Sequence, residues 1–361
     1  METFKKQTLI IYFFSGTGNA FSVAKWIEKV ALDNNQSVHL YNLSRIDRKT
    51  IPSPAENALV GFISPTHGFN FPPIMLHFLL NFPRSIRNRA FLVNTRGGLK
   101  LGKYFLPGLS GMAQYLSAII LILKGFKIVG MHPIDLPSNW IALHPGLKVN
   151  VIESIFERRK WETEKFTAKI LDGKTDLIAL KDSIQDILIT PIGILYYLVG
   201  RYFLAKSFIA TAKCDNCELC IKNCPLQAIK MVDNRPFWTY KCESCMQCMN
   251  ECPTRAIETA HGLIVGVIIL CNSLILYLLY KFIEFPSWYH TSTYGYLISI
   301  IFDSIIYLSC LFLSYRFFHY LKRFRLIDNL IAYTSLTKYP FWRRYKLRKL
   351  YFWRGYKLGK K

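Results

Sequence analysis

The sequence predicts a multidomain chain: an open, doubly wound α/β sheet of mainly parallel strands, then a small cysteine-rich α+β domain, then a two-helix transmembrane hairpin. Three observations carry this. Strand-like and helix-like segments alternate over residues 1–172. One cysteine pattern occurs twice and takes eight of the ten cysteines. Two long apolar stretches follow it, in a chain whose 51% hydrophobic share is high for a purely soluble protein.

Residues 8–14 (TLIIYFF) are continuously apolar and rich in β-branched and aromatic side chains, as a strand covered on both faces should be. The basic, then apolar start superficially imitates a secretory signal. It is short and ends at Ser15–Asn19 without a small-residue cleavage site, so a first strand is the better reading. Helical periodicity follows over residues 20–32 (Phe21, Ala24, Ile27, Val30). Further strands are expected near residues 38–41, 58–63, 90–94 and 126–131, and helices at 73–81, 111–124 and 151–171.

The first strand-to-helix turn, Ser15-Gly16-Thr17-Gly18-Asn19, sharpens this reading. It resembles the phosphate loop of flavodoxins, in which backbone amides and hydroxyls at a helix N-terminus hold the FMN phosphate without a basic residue. A dinucleotide fingerprint would need a third glycine where Phe21 stands. The resemblance implies a strand order of 2-1-3-4-5, with FMN at the carboxyl ends of the strands. It therefore implies flavin contacts from the loops after the third and fourth strands, Pro65, Thr66, His67, Gly68 and Phe69, and Asn94, Thr95, Arg96, Gly97 and Gly98. His67 or Phe69 could cover a ring face, and Arg96 or Lys100 could offset charge on the reduced flavin. Residues 135–140, with Trp140, are a weaker candidate for the outer edge of that site. Gly97-x4-Gly102-Lys103 nearly spells a nucleotide-binding P-loop, but Tyr104 replaces the hydroxyl residue that binds magnesium.

The repeated pattern is Cys214-x2-Cys217-x2-Cys220-x3-Cys224-Pro225 and Cys242-x2-Cys245-x2-Cys248-x3-Cys252-Pro253. It resembles the bacterial-type ferredoxin with two [4Fe-4S] clusters over about residues 210–260. Carried over residue by residue, the resemblance implies one cluster on Cys214, Cys217, Cys220 and Cys252, and another on Cys242, Cys245, Cys248 and Cys224. Zinc would want two CxxC pairs, and disulfides do not explain a duplicated spacing closed each time by proline. Eight free thiolates need a reducing compartment, so this part belongs in a cytoplasm.

Residues 173–211 read as a hydrophobic linker of packing or interfacial helices, since Pro191, Gly193, Gly200, Arg201 and Lys206 interrupt the apolar run. The expected divisions are 1–172, 173–211, 212–260, a transmembrane hairpin over 261–318, and a tail over 319–361. Residues 263–283 have a single charge, Lys281, and about 21 residues at 1.5 Å each cover the ~30 Å hydrocarbon core. Residues 296–318 form the second run, and the loop between lacks Lys and Arg, which places the redox domains and the tail on the cytoplasmic side of the cytoplasmic membrane. Asp303 inside the second span is a functional suspect, or a structural hydrogen-bond partner of the neighbouring helix. Cys271 and Cys310 read as packing residues. The tail sets thirteen Lys and Arg, interleaved with aromatics, against the single acid Asp328. That pattern points to anionic lipid headgroups rather than nucleic acid.

The whole resembles the flavodoxin–ferredoxin fusion proteins of anaerobic bacteria and archaea, a family read as electron-transfer flavoproteins. The resemblance implies FMN and two [4Fe-4S] clusters; the apolar hairpin and basic tail are additions that its motifs do not explain, and with them the expectation is a membrane-tethered carrier that passes electrons to a protein redox partner. The alternative is a reductase whose flavin acts on a lipid-like, quinone or prenyl substrate, with His67 or Asp303 as proton source. No acid–base dyad or triad is visible, so no catalytic residue is assigned.

Overall fold

The computed structural model describes residues 7–343, in two compact units. One comprises residues 7–140 and 146–196, the other residues 141–145 and 197–343.

In the first unit, β1 (Thr8–Phe13), α1 (Asn19–Asp33), β2 (Ser37–Asn42), β3 (Leu59–Pro65), α2 (Pro73–Asn81) and β4 (Arg89–Leu101) alternate as expected. They are followed by β5 (Tyr104–Leu106), α3 (Ala113–Leu123), β6 (Lys127–Pro137), α4 (Val149–Leu171) and α5 (Ser183–Leu195). The five parallel strands run β2-β1-β3-β4-β6, and β5 pairs antiparallel with the end of β4. The expected order 2-1-3-4-5 therefore needs one correction, because a short hairpin strand is inserted before the last parallel strand. The alternation of side chains along a strand builds two apolar layers. Leu9, Ile11 and Phe13 of β1 pack with Val23, Ile27, Ile155 and Phe156 of α1 and α4. Tyr12 and Phe62 meet Phe78 and Phe82 instead, with Tyr12 to Phe78 and Phe62 to Phe82 each 5.1 Å between ring centres.

Two further corrections concern loops. Residues 94–98 do not leave the sheet: β4 runs on to Leu101, and Asn94 to Gly98 lie in register with Pro133 to Pro137 of β6. Asp135, Leu136 and Pro137 are likewise strand residues. The P-loop lookalike is a tight hairpin between β4 and β5, with Gly102 at φ +57°, so no helix begins where a phosphate would sit.

In the second unit, α6 (Arg201–Ala205) leads into β7 (Phe208–Ala210), which pairs antiparallel with β10 (Ile257–Thr259). Between them lie α7 (Leu219–Lys222), the hairpin of β8 (Ile229–Val232) and β9 (Arg235–Trp238), and α8 (Gln247–Glu251). Asp233 and Asn234 both take positive φ, 49° and 57°, as the tight turn of that hairpin requires. Then come α9 (His261–Leu270) and α10 (Tyr277–Phe282), joined by a π-helical turn, α11 (Ser287–Thr291), α12 (Thr293–Leu321) and α13 (Arg325–Tyr333).

Among the described residues three helical stretches are long and apolar enough to cross a membrane, where the sequence suggests two: Ile178–Ala205, His261–Phe282 and Thr293–Leu321. The added one is the stretch read as packing helices. Pro191 sits inside α5, and helical structure continues through a π turn at Tyr196–Gly200, so these residues do not end the stretch. Asp303 accepts a hydrogen bond of 2.9 Å from the Tyr280 hydroxyl, which ties α12 to α10 and gives the acid a structural partner. Cys271 is fully buried beside Val267 and Leu311, as a packing residue should be.

The tail differs from a simple basic extension. Its described part, residues 319–343, folds back onto the second unit: the Asp328 carboxylate accepts the Ala212 amide at 2.8 Å, and Thr337 accepts the Thr259 amide at 3.0 Å. Ile331 and Trp342 are buried. Residues 344–361, with much of the basic charge, lie outside the described residues.

Candidate cofactor sites

The cysteine domain is a structural repeat. Equivalent residues lie 28 positions apart, Cys214 with Cys242 and Cys224 with Cys252, and the backbone repeats with them. Asn216 and Glu218 take φ of 58° and 57°; Ser244 and Met246 take 54° and 62°. Such left-handed residues turn successive amides toward one concavity, which suits an anionic core. Outside the loops the hydrogen bonds repeat as well. The Thr211 amide donates to Ala256 at 2.9 Å and the Thr239 amide to Ala228 at 2.8 Å; the Ala256 and Ala228 amides each reach a sulfur, Cys252 and Cys224, at 3.3 Å.

The eight thiols fall into two interacting sets. Cys220 feels Cys214, Cys217 and Cys252, whereas Cys248 feels Cys242, Cys245 and Cys224. Cys224, Cys242, Cys245 and Cys248 also line one cavity, together with Phe208, Trp238 and Glu243. Burial pushes the Cys220 thiol up to about 11 and Cys242 up to about 12, and raises Cys245 and Cys248 well above the ordinary thiol value. Without a metal these groups hold their protons at neutral pH; thiolates in that setting need a positive core to bind. Among the described residues no three His, Cys, Asp or Glu side chains converge as the shell of one metal ion would. The donor set, soft sulfur in fours and spread wider than a single ion's shell, fits a cluster.

Two buried lysines close this domain, and sequence reasoning missed both. Lys206 donates to the Trp238 carbonyl at 2.5 Å, and Lys322 donates to the Ala210 carbonyl. Tyr315 of α12 donates to the Phe208 carbonyl at 2.9 Å and accepts from the Trp238 amide at 3.3 Å. Burial pulls both ammonium groups down to about 8.

In the first unit, the loop 15–19 is shaped by its own small side chains. The Gly18 amide donates to the Ser15 hydroxyl at 3.1 Å, and Gly18 adopts φ 113°, a conformation closed to most residues. Asn19 donates to the Pro137 carbonyl at 2.9 Å, and the Thr17 hydroxyl accepts from the Asn139 side chain, so the loop is fastened to the end of β6. The first turn of α1 carries no acid that would repel an anion.

The remaining candidates divide. Pro65 ends β3 in register with Thr95, whose carbonyl accepts the Thr66 amide at 2.8 Å. Gly68 and Phe69 both turn left-handed, φ 54° and 66°, and a Cβ on Gly68 would strike the Tyr196 ring. His67, Trp140 and Tyr196 form an aromatic ladder with ring centres 5.7 and 5.4 Å apart. Asn94 is instead fully buried in a polar network, donating to Thr66 at 2.7 Å and Ser110 at 3.0 Å. The Arg96 guanidinium is buried between Asp135 and Asp182, each at 2.6 Å. Gly97 and Gly98 let β4 approach Ser138 and Asp135. Lys100 donates to Ser154 at 2.5 Å.

Residues 213–257 match the 4Fe-4S dicluster domain family, so the cofactors of the cysteine domain are two [4Fe-4S] clusters. No curated protein sequence matches the chain. Among solved structures, the flavodoxin of Streptococcus pneumonia TIGR4 is 16% identical with a TM-score of 0.30, the alignment covering 45% of this chain and 97% of that one. Oxidised flavodoxin 1 from Bacillus cereus is 15% identical, with a TM-score of 0.30 over 44% of this chain and 98% of that one. The rubredoxin:oxygen oxidoreductase from the anaerobe Desulfovibrio gigas is 17% identical, with a TM-score of 0.31 over 48% and 38% respectively.

Proposed function

We propose that the chain is a membrane-tethered electron carrier in which FMN and two [4Fe-4S] clusters exchange electrons and deliver them to a protein redox partner. The carrying observation is the gathering of eight cysteine thiols into two sets of four, within a segment that matches a dicluster domain. In this reading Cys214, Cys217, Cys220 and Cys252 ligate one cluster, and Cys242, Cys245, Cys248 and Cys224 the other. The loop Ser15–Asn19 binds the FMN phosphate through backbone amides, with residues 65–69 beside the ring. Its support is the fastened, acid-free N-terminus of α1 and the doubly wound order of the sheet. A flavin exchanges one or two electrons and a cubane one, so the pair converts hydride-type into single-electron chemistry. The candidate spans hold the carrier at the cytoplasmic face of the membrane.

Anaerobic extraction from membranes with detergent should yield about eight irons and one FMN per chain. Zinc at the cysteines, absence of flavin, or recovery in the soluble fraction without detergent would each remove one part of the proposal.

A further inference from the structure

Lys206 is 1% exposed, yet no acid pairs with it among the described residues. Its ammonium donates to the Trp238 carbonyl and lies over the rings of Tyr240, Phe237, Tyr315 and Phe312, at 4.5, 4.7, 4.8 and 5.7 Å from their centres. Aromatic faces and one carbonyl soften the cost of burying a cation but do not neutralise it. Trp238 stands four residues before Cys242 and lines the same cavity as Cys242, Cys245, Cys248 and Cys224.

The repeat makes the placement more than incidental. Ala210 stands four residues before Cys214, and its carbonyl accepts from the other buried lysine, Lys322, which is 3% exposed. Each cysteine set thus has a buried lysine on the equivalent carbonyl, although one comes from the chain before the repeat and the other from the chain after it. The two differ in company. Lys322 shares its surroundings with the buried Asp328 and with Arg235, which pairs with Asp328 at 3.9 Å. Among the described residues Lys206 has no charged partner, only aromatic rings, one carbonyl and the cysteine set.

We infer that Lys206 is the internal counter-charge of the cluster held by Cys242, Cys245, Cys248 and Cys224, and that it raises that cluster's reduction potential. The inference rests on the ligand reading given above. Four thiolates make a [4Fe-4S] core a net anion, and reduction adds one electron and one negative charge with no bond made or broken. A fixed positive charge in a dry setting favours the more negative state. Glu243, on the wall of the same cavity, acts in the opposite sense.

The test is an anaerobic redox titration of full-length, detergent-solubilised protein, followed by electron paramagnetic resonance, with iron and zinc counted in each sample. A Cys217→Ser background marks the other cluster by its altered spectrum. In Lys206→Met, with the iron retained, the reduced-to-oxidised ratio of the unmarked cluster at a fixed potential should fall about tenfold, a midpoint lower by ~59 mV for a one-electron couple. Lys206→Arg should keep the wild-type midpoint. If Lys206→Met loses iron, Lys206→Gln, which keeps a donor for the Trp238 carbonyl, takes its place with the same expected fall. An unchanged midpoint in a fully loaded neutral variant overturns the inference, and so does loss of iron in all three variants. Zinc or fewer than about eight irons in the wild type would instead overturn the ligand reading beneath it.

Discussion

The two candidate cofactor sites are built from opposite materials. In the second unit, the site consists of side chains: four cysteines at a fixed spacing, repeated 28 residues on with the same left-handed backbone turns. In the first unit, the loop Ser15–Asn19 offers mainly backbone, and the side chains around it are fastened to the protein itself, as Thr17 is to Asn139 and Asn19 to Pro137. A site made of reactive side chains announces its residues and fails when one is removed. A backbone site announces only its loop, and most single substitutions around it disturb packing before they disturb binding.

The largest expected effect separates the two sites outright. Truncation after Ala260 removes Tyr315, Lys322 and Asp328, which hold Phe208, Ala210 and Ala212 just ahead of the first cysteine. It also bares Ile209 and Phe237, which pack against Tyr315 and Ile331. The truncated chain should lose most of its iron and retain its flavin, as metal analysis and flavin absorbance would report. Retention of both clusters would mean that the cysteine repeat folds without its helical support.

A smaller effect stays within the repeat. Cys220→Ala should reduce iron from about eight to about four per chain and abolish one cubane signal, because the other three thiols of that set lose a corner. Two intact cubane signals would break the proposed pairing. The complementary change in the first unit is Thr17→Glu. Like charges ~4 Å apart repel by about 4 kcal/mol at an effective dielectric constant of 20, so a carboxylate beside the phosphate should leave the protein without FMN after purification and with its iron unchanged. Flavin retained at wild-type occupancy would put the phosphate elsewhere.

What the sequence disclosed follows the same division. The alternation of apolar strands and helices, the repeated cysteine spacing and two of the three apolar stretches long enough to cross a membrane are local patterns, each readable from one segment. The extension of β4 through Arg96 to Leu101 was not, because glycines at 97 and 98 look like a loop until Asp135 and Ser138 of the neighbouring segment are seen against them. Nor was Lys206 readable as a buried cation: its aromatic neighbours Phe312 and Tyr315 lie more than a hundred residues further along the chain. The charge and aromatic content of the tail are visible in sequence, whereas the hydrogen bond from Ala212 to Asp328 spans 116 residues and leaves no local mark.

The smallest effect tests whether the units differ in their response to acid. His132 of β6 is 8% exposed, its ring 4.7 Å from that of Phe166, and burial pulls it down to about 4 from the ordinary 6.5. Between these values the unfolded chain binds a proton that the folded chain refuses, so stability rises with pH across the window. The sign is therefore a loss on acidification: full stability above pH ~6.5, a decline as pH falls toward ~4, and a deficit that levels off below, of about 3 kcal/mol at most. Carboxylates add their own losses below pH ~5, so the useful comparison is wild type against His132→Leu between pH 6.5 and 5. The variant should lose flavin less steeply with acid over that range, while iron release from the second unit follows the same curve in both proteins. Identical flavin curves would show that His132 does not set the acid response of the first unit, and parallel changes in iron would show that the two units do not respond separately.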